Sequence, residues 1–258
     1  MLKFNTINKI TLGVAVLLLF INFLIAFDWI YYVILGLSWL LITAMGSAFI
    51  GWNYHLPSLN KNKHMTENWV SITFDDGPNP QFTPAVLSLL KKHEAKATFF
   101  CVGKNLESHP EIVQQILSEG HTIGNHTYSH AYAFGFFSSE KVVQELEQTN
   151  KVVKDTLGLA LKLYRPAFGI TNPNIKKALK VTGLTSIGWS KRSFDTTMLS
   201  EAIIFKRITR NLQKGDIILL HDSSKKTIAV LEQLLLFLQT NHLKSVTVDQ
   251  LLNIEPYA

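Results

Sequence analysis

Between Ile10 and Ile50 the only charged side chain is Asp28. It separates two apolar stretches, 10–27 and 29–50, each close to the ~20 residues that an α-helix needs to cross a hydrocarbon layer. The pattern predicts a transmembrane helical hairpin over residues 1–52 that turns near Asp28. Trp29, Tyr31, Tyr32 and Trp52 stand at the ends of the runs, where amphipathic rings favour the headgroup layer. Lys3 and Lys9 ahead of an apolar stretch also suit the charged start of a cleaved signal peptide, but a second long run occupies the place where a mature soluble protein would begin. Two buried core helices are the other reading, and 10–50 is longer than core helices usually require. A hairpin leaves both ends on one side. Lys3, Lys9, Lys61 and Lys63 flank it and no basic residue lies at the Asp28 turn, so the positive-inside rule places the domain after the hairpin in the cytoplasm. Four lysines leave that side open.

Charge argues against a nucleic-acid partner. The net charge of +6 is spread evenly: residues 1–64 carry four lysines against Asp28, and the remainder carries 21 basic and 18 acidic residues. No concentrated basic tract is present for a phosphate backbone. The single cysteine, Cys101, excludes an intrachain disulfide and lies in an apolar run, as a small core residue would.

Residues 53–65, with Pro57, Ser58 and several asparagines, read as a linker. Beyond them a domain is expected over 66–258. Strand-length apolar runs at 70–74, 97–102, 122–123, 161–164, 184–189, 217–220 and 245–248 alternate with segments of helical period at 84–93, 111–119, 139–157, 173–181, 201–212 and 227–239. That alternation implies βαβ units and an α/β fold with a parallel sheet or barrel. Asn172 before Pro173 reads as an N-cap with proline at the first helical position, and Gly120, Gly158 and Gly183 read as C-terminal stops.

Chemistry concentrates at the ends of the runs. The strand 70–74 leads into Asp75-Asp76-Gly77-Pro78, two adjacent carboxylates at the strand edge where parallel folds bind ligands. Neighbouring residues on an extended chain point apart, so one carboxylate is available to a metal and the other to a water beside it. His126 and His130, spaced i, i+4, would stack on one face if the segment makes a helical turn. Together with Asp76 they give two imidazoles and a carboxylate, the ligand count of a catalytic zinc site with one position left for water. Arg165, in Arg165-Pro166-Ala167-Phe168-Gly169, is expected to hold Asp75 through a bidentate hydrogen bond. A proline-stiffened loop there can aim a backbone N–H at an oxyanion. His221, leaving the run 217–220 before Asp222, is placed as a proton donor that a carboxylate would keep protonated.

Taken in order, Thr73-Phe74-Asp75-Asp76-Gly77-Pro78, His126-xxx-His130, Arg165-Pro166, Trp189…Asp195 and Leu219-x-His221 resemble the five motifs of the polysaccharide deacetylase family, the NodB-homology domains of carbohydrate esterase family 4. The likeness covers residues 66–258. It implies a distorted (β/α) barrel with fewer than eight strands and one divalent metal ion, usually zinc, on Asp76, His126 and His130. By the same resemblance Asp75 is the general base, oriented by Arg165, and His221, tuned by Asp195, is the acid. Phe168, Trp189 and Leu219 would bind substrate, with Leu219 lining the acetyl-methyl pocket. Arg192 and Thr196 stand where many members carry an aspartate and a tryptophan, which puts substrate contacts on that side in doubt.

The resemblance implies N-acetyl removal from an amino-sugar glycan. The hairpin adds a second candidate, deacetylation or deformylation of a lipid-linked amino sugar, and membrane lipid as a partner. A catalytically dead glycan-binding module is the third, disfavoured by the complete set Asp75, Asp76, His126, His130 and His221. Tyr128, Tyr132, Phe134, Phe136 and Phe137 come directly after the first of the histidines, as sugar-stacking rings, interfacial rings or core.

Overall fold

The computed structural model describes residues 3–25 and 28–258. The end of the first apolar run, Ala26 and Phe27, therefore lies outside the described residues. Two helices come first, α1 (Phe4–Leu24) and α2 (Ile30–Ala48). Both are long and apolar enough to cross a membrane, and only 6% of each apolar window is buried within the protein. At 1.5 Å per residue each spans ~30 Å, the thickness of a hydrocarbon core.

The strands are β1 (Trp69–Asp75), β2 (Ala97–Cys101), β3 (Thr122–Asn125), β4 (Leu163–Tyr164), β5 (Thr185–Ser186), β6 (Lys191–Arg192), β7 (Ile217–His221) and β8 (Lys244–Ser245). Between and after them run α3 (Thr83–Lys92), α4 (Gly103–Ser108), α5 (Pro110–Ser118), α6 (Ser139–Leu157), α7 (Pro173–Thr182), α8 (Glu201–Thr209), α9 (Lys225–Thr240) and α10 (Val248–Leu252). The order across the sheet is β5-β4-β3-β2-β1-β7-β6, with β8 beside the start of β1. Every pairing is parallel. The alternating pattern implies a parallel sheet or barrel, and the structure is a parallel half-barrel. Its strands number eight among the described residues, not the fewer than eight that the resemblance implies, because two-residue strands such as β6 and β8 also join the sheet.

β1 and β2 are buried along nearly their whole length on both faces, and the polar residues inside them, Ser71, Thr73 and Thr98, are buried with the apolar ones. Their side chains pack against α3, α5 and α9 through Val86, Leu90, Ile116, Leu231 and Leu234. Ser138, Asn172, Ser200 and Ser224 cap α6, α7, α8 and α9 with their side-chain oxygens. Gly158 and Gly183 close α6 and α7 in the left-handed conformation. Cys101 is fully buried, and burial pushes its thiol well above the ordinary value.

The stretch 53–65 is not a free tether. Leu59 bridges Ile187, Lys61 bridges Asp216, and His55, Leu56 and Ser58 are buried. It presses closely on the domain: a Cβ on Gly188 would collide with the Asn60 side-chain oxygen, and one on Gly215 with the Asn62 backbone carbonyl. The helical pair is fastened in the same way. Gly46 leaves room for the Tyr54 ring, the Phe4 N–H donates to the Tyr54 carbonyl at 3.0 Å, and the Thr171 N–H donates to the Ser47 carbonyl at 2.9 Å.

Candidate active site

Parallel strands deliver their last residues to one edge. Register aligns Asp75 on β1 with His221 on β7 and Asn125 on β3 with Tyr164 on β4. The next residues along the chain, Asp76, His126 and Arg165, leave the sheet side by side. A cavity of about 210 Å³ opens there, lined by Asp75, Asp76, His126, His130, Phe168, Gly169, Trp189, Arg192, Phe194, Thr196, Leu219 and His221. Of the ten residues singled out in the sequence, only Arg165 and Asp195 are absent from the lining, and both sit one layer behind it.

Asp76, His126 and His130 converge: one donor atom from each lies within 4.8 Å of the others, which is the spacing a shared cation requires. Asp76 Oδ1 is 3.4 Å from His126 Nε2 and 3.3 Å from His130 Nε2. That oxygen is buried and accepts no hydrogen bond, an uncompensated acceptor where a cation fits. Burial raises the Asp76 carboxyl, but the neighbouring imidazoles, His126 foremost, outweigh it and hold the group well below the usual carboxylate range. His126 Nδ1 lies 2.9 Å from the Arg165 carbonyl. A proton on Nδ1 donated there leaves Nε2 as a lone pair facing Asp76, the orientation found behind metal-bound imidazoles.

The histidine segment is not a helical turn. Thr127 and His130 have φ of 67° and 48°, and the chain instead folds around a buried glutamate. The Tyr128 and Ser129 N–H groups donate to Glu145 Oε2 at 3.1 and 2.7 Å, while the Thr127 N–H donates to Asn125 Oδ1 at 2.9 Å. The imidazoles still meet, with centroids 5.0 Å apart. Glu145 is the residue that sequence reasoning missed, and its signal was present: it is the one charge on the buried stripe Val142, Glu145, Leu146, Thr149, Val153 of α6.

Arg165 is fully buried and touches Asp75 through one nitrogen rather than two, a second correction. Its Nη1 donates to Asp75 Oδ1 and to Thr73 Oγ1, both at 2.7 Å, and Nη2 donates to the Gly188 carbonyl at 2.9 Å. The fork is shared between carboxylate and backbone, so Asp75 Oδ2 stays free to face the cavity, 3.9 Å from His126 Nε2. The Phe100 ring lies 4.0 Å from the guanidinium carbon and completes the seat.

His221 Nδ1 lies 2.7 Å from Asp195 Oδ1, and the His221 N–H donates to Asp195 Oδ2 at 2.9 Å. Ser193 and Thr227 hydroxyls donate to the same carboxylate at 2.7 and 2.9 Å. Burial lowers the imidazole, but Asp195 outweighs it, and His221 is pushed up to about 9. The adjacent Asp222 is a different group. It turns away to accept from the Thr83 hydroxyl beside Gly77, and burial pushes it up to about 7.

Phe168 has a left-handed φ of 59° and lays its ring 4.5 Å from His130 and 6.0 Å from Tyr132. Trp189 rests against Gly169, where a Cβ would collide with the indole. Leu219 is buried on β7 opposite Arg192. Of the aromatic stretch, Phe134 is core, Phe137 packs against it, and Tyr132 and Phe136 are almost fully exposed.

The family model for polysaccharide deacetylases matches residues 62–187. A peptidoglycan-N-acetylglucosamine deacetylase of Bacillus cereus is 37% identical over 191 residues, covering 72% of this chain and 89% of the relative. A chitooligosaccharide deacetylase of Azorhizobium caulinodans is 34% identical over 167 residues, covering 64% and 79%. Among solved structures, that of a peptidoglycan N-acetylglucosamine deacetylase in complex with 4-naphthalen-1-yl-N-oxidanyl-benzamide is 31% identical with a TM-score of 0.71, covering 77% of this chain and 94% of that one. The fold, the motif order and these likenesses agree, and the chain belongs to the polysaccharide deacetylase family.

Proposed function

We propose that this chain removes N-acetyl groups from amino sugars in a glycan, with residues 66–258 as catalytic domain and 1–52 as membrane anchor. The observation that carries the reading is the convergence of Asp76, His126 and His130 on one point within the cavity that Asp75 and His221 also face. A divalent ion held by those three donors, zinc by the ligand set, supplies Lewis acidity, polarising a carbonyl and easing deprotonation of water at neutral pH. Asp75, held by Arg165 with one oxygen facing the cavity, takes the proton from the attacking water. The backbone N–H groups of the Ala167–Phe168 turn serve the oxyanion that develops on the acetyl oxygen. As the carbon–nitrogen bond breaks, protonated His221 delivers its proton to the departing amine, and Asp195 stabilises the imidazolium until then. Acetate and a free amine leave. Leu219 shapes the methyl pocket, while Phe168 and Trp189 offer faces to the sugar ring.

A second substrate, a lipid-linked amino sugar, is favoured by one contact. Thr171, three residues beyond Phe168, donates to the last turn of α2 at 2.9 Å, so the cavity wall is fastened to the helical pair. Lys61 pairs with Asp216 at 3.0 Å, and the orientation signal stays with the four flanking lysines, because the positive-inside rule counts basic residues and acidic ones contribute little. Acetate or formate release from N-acetylated oligosaccharides and from lipid-linked amino sugars, with and without chelator, tests the reading. Release from neither would refute it.

A further inference from the structure

Beside the cavity lies a second concavity of about 570 Å³, lined by Lys191, Arg192, Ile203, Lys206, Arg207 and Arg210 among others. Arg192 lines both, so it stands at the boundary between them. Lys191 is already engaged: its ammonium donates to the Arg210 and Asn211 carbonyls and lies 3.9 Å from Asp216. The other cations are different. Among the described residues no carboxylate lies within 4.0 Å of Arg192, Lys206, Arg207 or Arg210.

Two of these side chains share one aromatic ring. Arg207 Nε donates to the Arg192 carbonyl at 2.9 Å, and the guanidinium carbons of Arg192 and Arg207 lie 4.7 and 4.4 Å from the Phe194 ring. Trp189 lies 5.3 Å from Arg192 on the cavity side. Phe194 itself sits at a left-handed φ of 61°, a conformation that costs a bulky residue free energy and is kept where surrounding contacts enforce it. Arg192 is partly buried and Lys206, Arg207 and Arg210 are exposed. Neighbouring like charges repel, an anion between them relieves that repulsion, and planar guanidiniums in a fixed fork match the oxygens of a phosphoryl or carboxylate group.

Building on the deacetylase reading, we propose that this groove is an anion subsite that takes a negatively charged substituent, phosphoryl or carboxylate, on the glycan next to the sugar being deacetylated. The enzyme then selects acidic over neutral glycans through Arg192, Arg207, Lys206 and Arg210. Because Arg192 borders both the catalytic cavity and the groove, the anion is placed on the unit next to the reacting sugar.

The test compares an N-acetylated β-linked glucosamine oligosaccharide with the same oligosaccharide bearing one phosphomonoester and, separately, one carboxymethyl group. Wild-type protein should show kcat/KM at least about tenfold higher for one or both acidic forms at low salt, carried by KM and shrinking as ionic strength screens the groove. Lys206→Gln with Arg210→Gln should reduce the preference about 3- to 10-fold while leaving neutral turnover unchanged. The phosphoryl and carboxymethyl arms identify which anion is read. Calorimetric binding of the same three oligosaccharides to Asp75→Asn measures the preference without turnover. Tighter binding of an acidic form with no deacetylation by wild type would uphold the groove and remove the hydrolase reading. Equal affinity and equal turnover of acidic and neutral forms, or a preference unaltered in the double variant, would overturn the inference.

Discussion

His221 and Asp195 are joined twice, ring nitrogen to one carboxylate oxygen at 2.7 Å and backbone N–H to the other at 2.9 Å. The carboxylate fixes both where the imidazole points and how long it keeps its proton. His221 is raised from 6.5 to about 9, so its acid form persists through neutrality and is lost as pH rises through about 9. The same pair contributes stability that is full below 6.5 and disappears over that window. Asp195→Asn removes the charge. The alkaline limb of the kcat profile should move toward lower pH, with a rate loss on the order of 10²-fold at about pH 8. A profile whose alkaline limb stays in place would mean that another group is the acid.

Base and ligand separate cleanly by substitution. Asp75→Asn keeps Asp76, His126 and His130 in place and should bind metal as wild type does while losing turnover by ~10³-fold or more. His126→Ala removes a donor from the triad and should lose both. Metal content by emission spectroscopy alongside acetate release distinguishes the two. Metal loss in Asp75→Asn would contradict the division of labour between the adjacent aspartates.

Glu145 acts through the backbone of the histidine loop, accepting from the Tyr128 and Ser129 N–H groups. In Glu145→Gln the one oxygen that accepts both N–H groups loses its charge, the other becomes an amide donor facing the Ser129 hydroxyl, and the loop loosens. We expect metal affinity to fall about 10-fold, in the range typical of residues that orient metal ligands, with secondary structure unchanged. Titration with a competing chelator measures it, and unaltered affinity would make Glu145 merely structural.

Gly169 combines φ of 71° with an indole where a Cβ would stand. Gly169→Ala should destabilise the protein by ~1–3 kcal/mol and raise KM severalfold, because Trp189 must move. A thermal melt and a substrate titration check the two effects separately. Unchanged KM would argue against Trp189 as a sugar contact.

Much of this site is legible in the sequence because its chemistry sits at strand ends. An apolar run followed by Asp75-Asp76, by His126 or by His221 marks the edge of a parallel sheet without any knowledge of its neighbours. What convergence adds is register, and that comes from parallel pairing once β1, β3 and β7 are recognised. Other features escape for physical reasons. β6 is only Lys191–Arg192, too short and too polar to show a period, and α4 begins at Gly103 with little apolar pattern. The run at 245–248 looks like one strand, but the chain turns at Thr247, so Val248 and Leu251 pack from α10. The local geometry of the histidines is set by Glu145, distant along the chain from His130, rather than by their own spacing. The apolar helices are plain from composition, whereas the fastening through Gly46, Tyr54 and Thr171 is tertiary.

The direct test of metal-centred deacetylation is acetate release from an N-acetylated glucosamine oligosaccharide by purified protein, stripped of metal and then titrated with Zn²⁺. Activity should be absent after stripping, return with one equivalent of metal, and fail to return in His126→Ala or Asp75→Asn. Release that is indifferent to chelation, or that survives either substitution, would contradict a reaction centred on Asp76, His126 and His130.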